Sequence, residues 1–190
     1  LNQYLSQLAD CPPASNWSKS DKLAYWINVY NAFTIKLIVN HYPVQSIKDI
    51  KKGIPFVNSV WEMDFFEIGG ESFNLSRVEH QILRKQFSEP RIHFAIVCAS
   101  KTCPQLLNVA FESELLEDQL TMQTRQFLSD STKNIVSYKS LQLSPIFKWF
   151  KRDFTDGNSL QSFVDTYTDT QVSPNAKVKY LNYDWSLNGE

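Results

Sequence analysis

The spacing of apolar residues divides the chain into helical and extended stretches, and turn residues mark most of the boundaries. Leu1–Ala9 predicts a short helix, closed by Cys11-Pro12-Pro13. Ser18 or Ser20 is placed to cap the next one. It runs to about His41 on the strength of Leu23, Trp26, Ile27, Tyr30, Phe33, Leu37 and Ile38 at helical spacing, and Pro43 stops it. Residues 44–58 read as a mixed loop or broken helix. Two strands follow at about Val60–Ile68 and Glu71–Leu75, with Gly69-Gly70 between them as a hairpin turn.

Ser76-Arg77-Val78-Glu79 fits a capping box that opens a helix to about Phe87, with Val78, Ile82, Leu83 and Phe87 inward. Arg91–Cys98 is apolar, β-branched and short, which predicts a central strand. A loop through Pro104 leads to a helix near Glu112–Leu128. Asn134–Tyr138 and Leu141–Leu143 suggest a second hairpin, and Ser144-Pro145 starts a helix whose apolar side is Ile146, Phe147, Phe150 and Phe154. A helix near Ser159–Tyr167 and a strand near Lys177–Tyr183 complete the pattern. Strands that come in hairpins rather than in strict βαβ alternation predict an α+β fold, with helices packed on a largely antiparallel sheet. No linker or repeat divides residues 1–190, so a single domain is expected.

Composition narrows the function classes. Aromatic residues make up 14% of the 190, enough to build a core without disulfides or metals. A formal charge of −1 offers no excess positive charge for a phosphate backbone, so nucleic acid is not an expected partner. No apolar run reaches the roughly 18 residues of a membrane span. Leu1 is not an initiator methionine, and the first residues lack the basic and apolar regions of a signal peptide.

The chemistry concentrates in Arg91–Pro104. Cys98 ends the expected strand, and Cys103 lies in the loop before a helix, a junction where amides stabilise a thiolate. His80 and His93 are candidate bases. Strand alternation puts His93 with Arg91 on the face opposite Cys98, whereas His80 would reach Cys103 from another element. Glu79 is explained equally by a capping box and by orienting the imidazole. Asn28 and Asn31, three residues apart in the long helix, are either structural amides tying a loop to it or polar groups lining a pocket. Arg84 and Arg91 suit a carboxylate ligand or ordinary salt bridges. Two inert cysteines, a Cys98–Cys103 disulfide, and zinc held by the thiols with His80 and His93 are the competing readings. No phosphate-loop, dinucleotide, zinc-protease or serine-hydrolase signature occurs, and no cofactor is expected.

Five motifs in order, LAYWINVYNAFTI (Leu23–Ile35), LSRVEHQILR (Leu75–Arg84), PRIHFAIVCASKTCP (Pro90–Pro104), SPIFKWFKRDF (Ser144–Phe154) and YDWSLN (Tyr183–Asn188), resemble the bacterial and plant family known as domain of unknown function 547. Trp26, Asn28, Asn31, Glu79, His80, Arg84, Arg91, His93, Cys98 and Cys103 occupy its signature positions, with Thr102 and Gln105 as departures. The resemblance implies an exported protein whose signal segment is absent from this chain, and a cytoplasmic location stays open. By analogy of fold class it suggests a permuted papain-like or transglutaminase-like enzyme, since His80 precedes Cys103. Two functional expectations result. One is thiol-dependent acyl transfer or hydrolysis on a peptide-like or amide substrate, with Cys103 as nucleophile, His80 as base and Glu79 or Asn28 orienting the ring. The other is a module binding a small molecule or peptide through Asn28, Asn31, Arg84, Arg91, His93 and Cys98, with structural or disulfide-bonded cysteines.

Overall fold

A computed structural model describes residues 1–50 and 59–189 of the chain; the expected loop at 51–58 lies outside them. Helix α1 (Asn2–Asp10) packs on α2 (Lys19–His41), the longest element. Ser18 is the cap of α2. Its Oγ accepts from the Asp21 amide at 3.0 Å while the Asp21 carboxylate accepts from the Ser18 amide at 3.1 Å, a reciprocal capping box. Leu23–Tyr25, Ile27 and Val29–Thr34 are buried, so the middle of α2 is enclosed on nearly all sides and forms the axis of a first core.

The first hairpin packs against that core. Strands β1 (Phe66–Ile68) and β2 (Glu71–Phe73) pair antiparallel, and Phe66 stacks on Phe33 with ring centroids 4.0 Å apart. Both strands are shorter than the sequence pattern suggests, because Val60–Glu62 forms a 3₁₀ turn instead of extending β1. Gly69 and Gly70 both have positive φ, and a Cβ on Gly69 would come within 3.0 Å of the Pro12 ring, so this turn needs glycine.

The Ser76 capping box does not form. Asn74 caps instead, its Oδ1 accepting from the Arg77 amide at 2.7 Å. Ser76 is already helical, with no side-chain cap bond. The helix then widens into a π-helical stretch, Arg77–Leu83, before one α-helical turn, α3 (Arg84–Gln86). Glu79 is thereby released from capping.

Arg91–Cys98 is not a strand. Residues Ile92–Ala95 form a one-turn helix, α4, followed by extended backbone. Glu89-Pro90 nucleates the turn. The Glu89 carboxylate accepts from the Arg91 amide at 3.1 Å, and proline's preset φ suits the turn that leads into α4. A run buried on every side looks alike as a strand or a short helix, since periodicity cannot separate them.

The second half builds a separate core. Helix α5 (Leu116–Ser129) contacts α4 and α8 (Leu160–Tyr167). Strands β3 (Ile135–Ser137) and β4 (Ser140–Leu143) form the second hairpin, and β5 (Lys177–Tyr180) joins β4 in parallel. The expected helix after Pro145 breaks at Phe150 into α6 (Ile146–Trp149) and α7 (Lys151–Phe154). Phe94, from α4, is fully buried among Phe127, Phe147 and Phe154 of this cluster. The α+β class therefore holds. Two of the three strand pairings are antiparallel, and the strands are divided between two small sheets, each beside its own core.

Candidate functional site

A cleft of about 450 Å³ opens between the two cores. Tyr30, Glu79 and His80 face it from the first core; His93 from α4, and Cys98 and Cys103 from the segment after it; Trp149, Phe150, Tyr183 and Trp185 from the second half.

The π-helical stretch presents Glu79 and His80 together. Glu79 is buried, and its Oε2 accepts from the Tyr30 hydroxyl at 3.2 Å. Burial pushes its carboxyl up to about 7, outweighing the Tyr30 hydrogen bond and the charge of Arg84. His80 is half-exposed, and its Nδ1 lies 3.1 Å from the Arg84 guanidinium. Arginine can only donate, so Nδ1 accepts and the neutral ring carries its proton on Nε2. Desolvation and then the Arg84 charge hold His80 below the usual histidine value.

Arg84 also forms a bidentate pair with Asp153, Nε to Oδ2 at 2.6 Å and Nη2 to Oδ1 at 3.0 Å. Asp153 Oδ2 lies 2.7 Å from His93 Nε2. Burial works against the Asp153 charge, but hydrogen bonds from His93 and Arg84 overcome it and keep the carboxyl well below the usual range. Desolvation lowers the His93 pKa more than Asp153 raises it, so the ring favours its neutral form. With Nε2–H donated to an ionised Asp153, the lone pair falls on Nδ1, which makes no hydrogen bond among the described residues. The break between α6 and α7 has a consequence at this point: it lets Phe150 stack on the His93 ring at 4.0 Å.

Cys98 and Cys103 meet in the same cleft. Their sulfurs are 3.1 Å apart, and the Cys98 amide donates to Cys103 Sγ at 2.8 Å. Cys98 Sγ also lies 3.2 Å from both the Ser100 and the Tyr183 hydroxyls. Ala99, with φ of 57°, turns the chain so that Ser100 folds back onto Cys98. It is the single non-glycine residue with positive φ among those described, and such strain tends to gather at functional sites. Cys98 is half-buried and Cys103 buried to 3% exposure. The Cys98 amide favours charge on Cys103, but burial outweighs it. The Cys103 thiol, with help from Ser100 and Tyr183, holds Cys98 below the ordinary thiol value, while desolvation lifts Cys103 well above it.

Among the described residues no hydrogen bond links His80 to Cys103. His93, expected to point away from Cys98, shares its cleft, because the predicted strand alternation does not apply to a helical turn. Asn28 pairs with the Phe111 backbone, donating to its carbonyl at 2.8 Å and accepting from its amide at 2.9 Å. Asn31 donates to the Ala95 carbonyl at 2.9 Å and accepts from the Val97 amide at 3.0 Å. Both asparagines hold backbone, and Asn31 fixes the stretch between His93 and Cys98. Arg91 is buried, bonded to Glu89, Glu117 and Thr121, and borders a separate groove of about 930 Å³. The zinc reading loses its ligands: no three His, Cys, Asp or Glu side chains gather as a metal would require among the described residues.

Asp153, Ser100, Tyr183, Trp149 and Trp185 are not singled out as site residues in the sequence, and Tyr30 stands there as a core position only. Asp153 carried a signal, as the lone acidic residue of SPIFKWFKRDF. Tyr183 and Trp185 arrive through the C-terminal segment, which bonds to the cysteine loop from Lys101 N to Ser186 O at 2.9 Å and from Asp184 N to Thr102 Oγ1 at 2.7 Å. Thr102 thus uses its hydroxyl to anchor that segment.

Fold and cleft together define an α+β protein whose two cores enclose a thiol pair, two imidazoles and two carboxylates. The chain belongs to the family described as "Protein of unknown function, DUF547", whose model matches residues 14–128. No curated protein and no solved structure matches the chain. No helix among the described residues is long and apolar enough to cross a membrane.

Proposed function

We propose that the cleft carries out thiol-dependent acyl transfer or hydrolysis on an amide or ester, with Cys98 as nucleophile and His93, oriented by Asp153, as base. The observation that carries this reading is the Cys98 sulfur, ringed by Cys103, Ser100 and Tyr183 in a cleft shared with a carboxylate-bound imidazole. It moves the nucleophile from Cys103, which is buried, to its neighbour. It also moves the base from His80, whose lone pair faces Arg84, to His93.

In this scheme the Cys98 thiolate attacks the carbonyl carbon, and His80 Nε2–H offers a donor to the oxyanion. Glu79 gives its proton to the leaving amine or alkoxide. Water then attacks the thioester while His93 takes its proton, which returns to Glu79 through the solvent of the cleft. The exposed Trp149 ring, with Tyr183 and Trp185 packed beside it, supports a substrate with an apolar flank. The same aromatic wall favours the second reading, a binding module without turnover.

Alkylation with iodoacetamide from pH 5 to 9, mapped by peptide mass, separates the two. Fast labelling at Cys98, half-maximal well below the ordinary thiol value of about 8.5, is expected, with exposed Cys11 as internal reference. A panel of amide and ester substrates should then show turnover that disappears in Cys98→Ala and falls in Asp153→Asn. An inert Cys98, or turnover that survives Cys98→Ala, overturns the catalytic reading.

A further inference from the structure

We infer that Cys98 and Cys103 form a peroxide-responsive dithiol, in which a hydroperoxide oxidises Cys98 and Cys103 resolves the product as a disulfide. The inference rests on the proposed reading of Cys98 as the more acidic sulfur, and on nothing in its acyl chemistry. Two sulfurs at 3.1 Å are already closer than a relaxed non-bonded contact, so small side-chain rotations suffice to join them. Both sulfurs border the cleft, but Cys98 is half-buried, where a small oxidant can reach it, whereas Cys103 is buried. A more accessible attacking thiol and a sheltered partner are the arrangement of a redox cysteine beside its resolving cysteine. Tyr183 offers the attacking sulfur a hydroxyl donor, and Ser100, which donates to the Tyr183 oxygen at 2.9 Å, orients that hydroxyl.

The reaction balances without a metal or cofactor. The Cys98 thiolate attacks the terminal oxygen of the hydroperoxide. The O–O bond breaks, and the alkoxide or hydroxide leaves and takes a proton from solvent, so Cys98 becomes the sulfenic acid. Cys103 sulfur then attacks Cys98 sulfur; the S–S bond forms and the S–O bond breaks. The hydroxide departs with the Cys103 proton as water. The two cysteines lose two electrons and the hydroperoxide gains them. An external dithiol reverses the change. While the disulfide stands, Cys98 has no thiolate to offer a substrate.

The test uses the intact, reduced chain treated with hydrogen peroxide and digested with trypsin. Lys101 lies between the cysteines, so cleavage there separates Cys98 and Cys103 into two peptides. The expected product is one linked pair, two hydrogens lighter than its parts and released by dithiothreitol. Both Cys103→Ala and Cys103→Ser should lose the linked pair and leave Cys98 as a sulfenic acid trapped by dimedone. The inference fails if peroxide drives wild-type Cys98 to sulfinic or sulfonic acid without a linked pair. It fails equally if dimedone labels Cys103 rather than Cys98, or if the linkage resists dithiothreitol and so is not a disulfide. Because the readout is mass, it stands or falls separately from turnover: an acyl enzyme without the linked pair removes this inference alone, and a linked pair without turnover removes only the acyl chemistry.

Discussion

Glu79 carries a carboxyl in a place that disfavours its charge. Its only hydrogen-bond partner among the described residues is the Tyr30 hydroxyl, and burial pushes the carboxyl up to about 7. An unfolded glutamate titrates near 4.3. Between those values the folded chain keeps a proton that the unfolded chain has lost, so stability falls as pH rises through the interval and levels off above it. The loss amounts to about 4 kcal/mol across the window, taking 1.4 kcal/mol per unit. Denaturant titrations at pH 5 and pH 8 should show that decline in the wild type relative to Glu79→Gln, which keeps the shape without the ionisation. Both chains share the opposing titrations of Cys98, His80 and His93, whose lowered values make stability rise with pH. A wild-type stability that rises relative to Glu79→Gln over the same interval would mean that the carboxylate is ionised and paired in the fold.

At the scale of elements, one asparagine joins the helix at the centre of the first core to the strap that carries the chemistry. Asn31 projects from α2 and bonds both the Ala95 carbonyl and the Val97 amide, doing for this segment what a neighbouring strand would do. Asn31→Ala removes two hydrogen bonds and leaves buried backbone groups unpaired, at a cost of roughly 2–4 kcal/mol. Chemical denaturation should register that loss, and preferential labelling of Cys98 should weaken with it, since the backbone leading into Cys98 loses its clamp. Unchanged stability would mean that water replaces the amide. The same element scale explains the failure of the expected strand. Helix and strand both satisfy an all-apolar run, and the choice fell to Glu89-Pro90 on one side and Asn31 on the other.

Across the whole molecule, the family match ends at residue 128, yet much of the cleft lies beyond it. Trp149, Phe150, Tyr183 and Trp185 all come from the later segment, as does Asp153, the partner of His93, and Phe94 is fully buried only because α5 to α8 cover it. A chain ending at Leu128 would expose Phe94 and Phe127 and leave His93 without its carboxylate. It should show no cooperative unfolding transition by circular dichroism, and its cysteines should label without preference. A cooperative transition in that fragment would show that the first core suffices.

What the sequence determined by itself is local. The extents of α1, α2 and α8, the two hairpin turns and the α+β class follow from spacing, capping residues and glycine, because each depends on residues within a few positions of one another. The residue types of the candidate chemistry were legible too, since the thiols, imidazoles and Glu79 stand within one stretch of the chain and share the cleft. Their partnerships were not. His93 meets Asp153 across 60 positions and Cys98 meets Tyr183 across 85, distances at which no propensity or period operates. Packing of the two cores decided those contacts. It also decided which thiol is shielded and which nitrogen of each histidine is free, because burial and hydrogen bonding are properties of the assembled fold.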